Sequence, residues 1–200
     1  MINKKELEKL YNVQNKSMKE IADLIGCSPS KVQYWMVAHG LVRKTISEAV
    51  YTKNNPEGDP FVFCPPKSLP EERLFGMGMG LYWGEGTKAS KSSVRLGNSD
   101  PELISKFITF LITFFNIKKQ DLHFGLQIFS DMSTDESLGF WIRKLKVKKE
   151  QFYKPIITPY RSIGNYRSKT KYGVVTVYYN NTKLKKLLMD LLEKEKNDIK

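Results

Sequence analysis

The segment Leu74-Phe-Gly-Met-Gly-Met-Gly-Leu-Tyr-Trp-Gly-Glu85-Gly86-Thr-Lys88 constrains the fold more than any other part of the chain. Gly76, Gly80 and Gly84 recur every four residues, a spacing that stacks them on one face of a helix. An interior glycine costs a soluble helix about 1 kcal/mol relative to alanine. Three on one stripe predict a helix packed so closely along that face that no side chain fits. Its last turn delivers a carboxylate, Glu85, followed at once by Gly86.

Charge narrows the partners. The 200 residues carry a formal net charge of +12, which implies an anionic partner, nucleic acid before an anionic membrane surface. Residues 1–50 hold +3, residues 51–70 balance, and residues 71–200 hold +9, so most of the field belongs to the larger part. Cys27 and Cys64 stand alone in different segments, which supports neither a disulfide framework nor a cysteine zinc site and fits a reducing, intracellular setting, cytoplasmic or nucleoid-associated. The charged, periodic N-terminus is unlike a signal peptide. The apolar run from Ile104 to Phe115 is too short to span a bilayer and reads as a core helix. No internal repeat is visible, and the glycine stripe occurs once.

Residues 51–70 contain five prolines and a glycine, so residues 46–70 read as a linker between a module at 1–45 and a domain at 71–200. In the module, Glu6 to Asn12 suggests a short helix. Ser17-Met-Lys-Glu20 is a capping box for a second helix. Gly26-Cys-Ser28 makes a turn, and Ser28-Pro29 starts a third helix with Val32, Trp35 and Met36 inward. Ala22, Gly26 and Val32 together resemble the helix-turn-helix family of DNA-binding modules. That resemblance implies a third helix entering the major groove by its N-terminal end. Ser28 and Ser30 then suit phosphate or base contacts, Gln33 can pair with adenine, and Lys31 and Tyr34 lie near the backbone. A trihelical packing or protein-interaction module is the competing reading.

In the larger part, Pro70-Glu-Glu-Arg opens the glycine helix. Val94 to Asn98 is a candidate strand, and Ser99-Asp-Pro-Glu102 caps a helix with Leu103, Phe107, Phe110, Leu111 and Phe114 inward. Asp121 to Phe129 alternates, with Leu122, Phe124, Leu126 and Ile128 on one face. Ser133 to Glu136 caps another helix, residues 172–179 form the clearest strand, and an amphipathic helix with Leu184, Leu187, Leu188, Leu191 and Leu192 closes the chain. The expected class is α+β, with helices on one face of a mostly antiparallel sheet.

Gly80-Leu-Tyr-Trp-Gly-Glu-Gly86, with Asn98-Ser-Asp-Pro-Glu-Leu103, resembles the LAGLIDADG homing-endonuclease family. Two motif helices of that family pack through small residues, each giving an acidic residue to a divalent-metal centre at the seam, while a curved sheet reads the major groove. The resemblance implies that Gly76, Gly80 and Gly84 form a seam, that Glu85 is the catalytic carboxylate and metal ligand, and that Gly86 permits the turn into the sheet. Trp83 stands where the family usually has an earlier acidic residue. A hard oxygen ligand suits Mg²⁺, which keeps several waters and takes phosphate oxygens. One motif per chain implies a homodimer, and a two-fold protein favours a palindromic DNA site. The same fold, joined to a helix-turn-helix, also occurs in regulators that bind DNA without cutting it.

From Arg143 to Lys171 basic residues interleave with Phe152, Tyr153, Tyr160, Tyr166 and Tyr172, a composition suited to following a phosphate backbone. Lys154, Arg161 and Arg167 are candidates for that contact, with a solubilising surface as the bland alternative. Lys88, Lys169 and Lys171 are candidates for a basic group near the scissile phosphate. Arg95 and Gln127 alternate with apolar neighbours and can reach base edges. His123 shares the Gln127 face, and His39 caps or fills space. The readings in competition are a Mg²⁺-dependent, sequence-selective double-stranded DNA endonuclease, a non-cleaving DNA-binding regulator, and an RNA-binding protein using the basic loop.

Overall fold

A computed structural model describes residues 2–160 and 170–198. Arg161, Arg167 and Lys169 lie outside the described residues. The class is α+β, with eight α-helices and a four-stranded sheet among the described residues. No helix among them is long and apolar enough to cross a membrane. The chain divides into two compact units, Met1–Pro60 and Phe61–Lys200.

In the first unit, α1 (Lys4–Glu8) runs on into a π-helical stretch, Lys9–Val13. The capping box before α2 (Met18–Ile25) forms in both directions: Glu20 N–H donates to Ser17 Oγ (3.2 Å) and Ser17 N–H to Glu20 Oε2 (2.8 Å). Gly26 ends α2 in the left-handed region (φ 71°), where a side chain is strained. Ser28 then caps α3 (Pro29–Ala38) by accepting from Lys31 N–H at 3.3 Å. Leu7, Tyr11, Ile21, Ala22, Val32 and Met36 make the core, while Trp35 is only half-buried. Lys44 returns to this core, its N–H donating to Tyr11 Oη at 2.9 Å.

The linker reading of residues 46–70 is corrected at both ends. Ile46–Asn54 is a helix, α4, because Thr45 and Glu48 form a second reciprocal capping box that outweighs the proline-rich stretch behind it. Phe61 to Cys64 belongs to the second unit. Val62 N–H donates to the Phe115 carbonyl (3.1 Å), Cys64 N–H to that of Phe114 (2.8 Å), and Phe63 stacks on Phe115.

The second unit opens with α5 (Leu69–Glu85), the glycine helix, then β1 (Val94–Asn98), α6 (Pro101–Phe115) and β2 (His123–Phe129). It continues with α7 (Thr134–Leu145), β3 (Ile156–Thr158), β4 (Val174–Tyr179) and α8 (Thr182–Asp198). The sheet order is β1-β4-β2-β3, antiparallel except for the β2–β3 pair, which is parallel. Sequence reasoning did not find β3, a three-residue strand following a proline. The inner face carries Val94, Leu96, Phe124, Leu126, Ile128, Val175 and Val177, all buried with the apolar faces of α5 to α8. The alternation read in β2 thus holds residue by residue.

Candidate nucleic-acid interface

The glycine helix packs, but not with the glycines expected to do so. α5 buries Phe75, Gly78, Met79 and Tyr82. Phe75 meets Phe114 edge-on at 5.1 Å, and Tyr82 stacks on Phe107 at 5.9 Å. Gly78 is the close approach: a Cβ there would lie 2.2 Å from the Phe110 ring. Gly76, Gly80 and Gly84 face the other way, with nothing within 4 Å of where their Cβ atoms would be. The stripe is therefore open, flanked by exposed Met77 and Trp83.

At the end of that open stripe stands Glu85, exposed and the last residue of α5. An acid there opposes the negative C-terminal end of the helix dipole, an arrangement that costs rather than stabilises. Two lysines bond the chain on either side of it. Lys88 Nζ donates to the Trp83 carbonyl. Lys185, on α8 and only 3 % exposed, donates to Tyr82 Oη (2.5 Å) and to the Thr87 carbonyl (2.9 Å). Burial, and then the Lys88 ammonium, lower the Lys185 pKa below the usual lysine value. Burial pushes the Tyr82 phenol up to about 12. Sequence reasoning missed Lys185 because it counted only leucines on α8. The signal was present, since Lys185 is three residues before Leu188 and so shares its buried stripe.

The turn after Glu85 joins the helix to the sheet. A Cβ on Gly86 would lie 2.5 Å from the Tyr82 carbonyl, so only glycine fits, and Gly86 bridges to Leu96. Thr87 N–H then donates to the Arg95 carbonyl (2.9 Å), which ties the acid-bearing end of α5 to the strand carrying Arg95.

The outer face of the sheet collects the side chains singled out for base contact. Arg95 is in register with Tyr178, and Tyr178 with His123, so these three form one rank across β1, β4 and β2. The Arg95 guanidinium lies 5.3 Å from the centre of the Tyr178 ring, and Tyr153 packs edge-on to Tyr178 and stacks on His123. Arg95 Nε is buried and has no hydrogen-bond partner among the described residues. The next outward rank is Gly97, Thr176 and Gly125, and beyond it lie Val174, Gln127 and Ile156. The two glycines leave room for their neighbours: a Cβ on Gly97 would lie 2.8 Å from Thr176 Oγ1, and one on Gly125 would lie 3.1 Å from the Tyr178 ring. Gln127 is exposed, its Nε2 donating to Thr158 Oγ1 at 3.2 Å.

The remaining candidates fall elsewhere. Lys154 is exposed just before β3. Lys171 packs on the Tyr172 ring and lines a cavity of about 300 Å³ beside Ser133 and Glu136 at the start of α7, apart from the Glu85 cluster. In the first unit Ser28, Ser30, Lys31, Gln33 and Tyr34 are all exposed on the first turns of α3, as groove entry requires. His39 accounts for itself structurally: Nε2 lies 2.8 Å from the Ile2 carbonyl and the ring stacks on Trp35. No three His, Cys, Asp or Glu side chains gather as a metal site among the described residues. Compared with protein-family models, with curated proteins and with solved structures, the chain finds no match.

Proposed function

We propose that the protein binds double-stranded DNA selectively as a homodimer and cleaves it in a divalent-metal-dependent reaction. The carrying observation is the open glycine stripe ending on Glu85: the chain bears the helical cost of three glycines that no contact of its own uses. A second copy of α5 against that stripe repays it and brings two Glu85 carboxylates together about a two-fold axis. Carboxylate oxygens are the ligands Mg²⁺ accepts alongside water and phosphate. A cation held there would supply activation of water and stabilisation of the leaving oxygen. Lys88 and Lys185 hold the end of α5 in place while Arg95, Gln127 and His123 face the bases or backbone of the bound duplex. The exposed first turns of α3 add a second reading element. The +12 charge supports the choice of partner.

The non-cleaving regulator is the second reading, favoured by the exposed first turns of α3, which offer DNA contacts that do not involve Glu85. One experiment separates the two. A bound duplex is selected from a random pool, then incubated with wild-type protein and with Glu85→Ala, with and without Mg²⁺. Cleavage by wild type alone, with binding retained in the variant, is the expected result. Binding without cleavage in any divalent metal leaves the regulator. A monomer on DNA overturns the shared seam.

A further inference from the structure

Two turns of this chain follow one pattern. After α6 the chain reads Asn116-Ile-Lys-Lys-Gln-Asp-Leu-His123, and after α7 it reads Lys146-Val-Lys-Lys-Glu-Gln-Phe-Tyr153. Asn116 and Lys146 both end their helices in the left-handed region (φ 50° and 52°). Ile117 and Val147 are both buried, and a short 3-10 turn follows each, Lys119–Asp121 and Lys149–Gln151. His123 and Tyr153 stack at 5.4 Å. The match is too short to register as a sequence repeat, and the parallel pairing of the strands that follow sets the two turns side by side.

Gln151 locks them together. Its Nε2 donates to the carbonyls of Lys119 and Leu122, both at 2.9 Å, and its Oε1 accepts from Lys148 N–H at 3.0 Å. The result is an open pocket of about 550 Å³ whose lining includes Lys118, Lys119, Lys146 and Lys148, with Glu150 the one acid. Burial, and then the Lys146 ammonium, lower the Lys119 pKa below the usual lysine value. A helix dipole acts only within its last turn. Lys118, Lys119 and Lys148 lie beyond the caps, so dipole compensation does not account for them. His123 lines the pocket and also stands in the Arg95–Tyr178–His123 rank, about 10 Å from Arg95 by two strand spacings.

We propose that this pocket holds a phosphate group, supplied by the backbone of a duplex lying on the outer face of the sheet; the source, though not the chemistry, rests on the function proposed above. The test compares the Lys119→Gln/Lys148→Gln double variant with a control that removes equal charge from the helices, Lys106→Gln/Lys194→Gln. Two probes are used on the full chain: inorganic pyrophosphate, followed by the amide resonances of residues 118–123 and 146–151, and duplex DNA of selected and unrelated sequence. The salt slope of DNA affinity should fall by about 1–2 for the pocket variant on both duplexes and stay unchanged for the control. Equal slopes for the two variants overturn the pocket while leaving DNA binding standing. Pyrophosphate shifts without any DNA binding overturn the DNA source and support a free phosphate. Loss of both responses in wild type overturns pocket and function alike.

Discussion

At the scale of single residues, the glycines of α5 have opposite roles that their spacing conceals. Gly78 is the one the chain itself needs, because the Phe110 ring occupies the space a Cβ would take. Gly78→Ala should lower stability by about 1–3 kcal/mol, the usual cost of overpacking. Gly80→Ala meets nothing and should raise single-chain stability by up to about 1 kcal/mol through helix propensity. Urea unfolding at low protein concentration checks both signs. For the proposed dimer, the same Gly80→Ala should weaken self-association in sedimentation, so that one substitution stabilises the fold and loosens the seam. Lys185 makes the complementary point: its spacing from Leu188 marks the stripe it shares, but its bonds to Tyr82 and the Thr87 carbonyl follow only from where α8 lands.

At the scale of elements, side-chain caps decide where helices begin. Asp100 caps α6 by accepting from Glu102 N–H (2.8 Å) and Leu103 N–H (3.4 Å), while its own N–H donates to Asn98 Oδ1 (2.9 Å). Asp100→Ala should cost about 1 kcal/mol and speed hydrogen exchange at the Glu102 and Leu103 amides. Unchanged exchange there would show that packing of the phenylalanine face alone sets the start of α6. Thr45 and Glu48 do the same for α4, which has no buried residue and so rests on its caps and local bonds. The end of α5 is the exception to such economy. It carries an acid where a cation is favoured, and the turn beyond it accepts only glycine. An element that departs from its own best local chemistry is where function is expected.

At the scale of the whole molecule, the two units have separate cores of very different size. Seven buried apolar residues serve the first unit and twenty-seven the second, among the described residues. A small domain buries a lower fraction of its surface and is more marginal. Calorimetry should therefore resolve two transitions, the first unit melting at the lower temperature. Residues 61–200 expressed alone should keep the upper one. A single transition that disappears on truncation would mean the units fold only together.

Most of the helices and the inner face of the sheet were legible in the chain, because they depend on interactions within a few residues. Ser17-x-x-Glu20, Ser28-Pro29 and Asp100-Pro101 stop and start helices with side chains close to the backbone they bond. Alternation in β2 sorts its two faces with no knowledge of the partner strand. The same local signal at Thr45-x-x-Glu48 was there too, but was outweighed by the prolines that follow. What the chain did not disclose depends on register between distant segments. Which glycine meets Phe110, which lysine is buried against Tyr82, and which rank Arg95 shares with His123 are settled only when α6, α8 and β4 are in place. The paired lysine turns belong to this second group. Each is an ordinary helix ending alone, and they become a pocket because a parallel strand pair places them side by side, where four lysines share a lining that one turn could not supply.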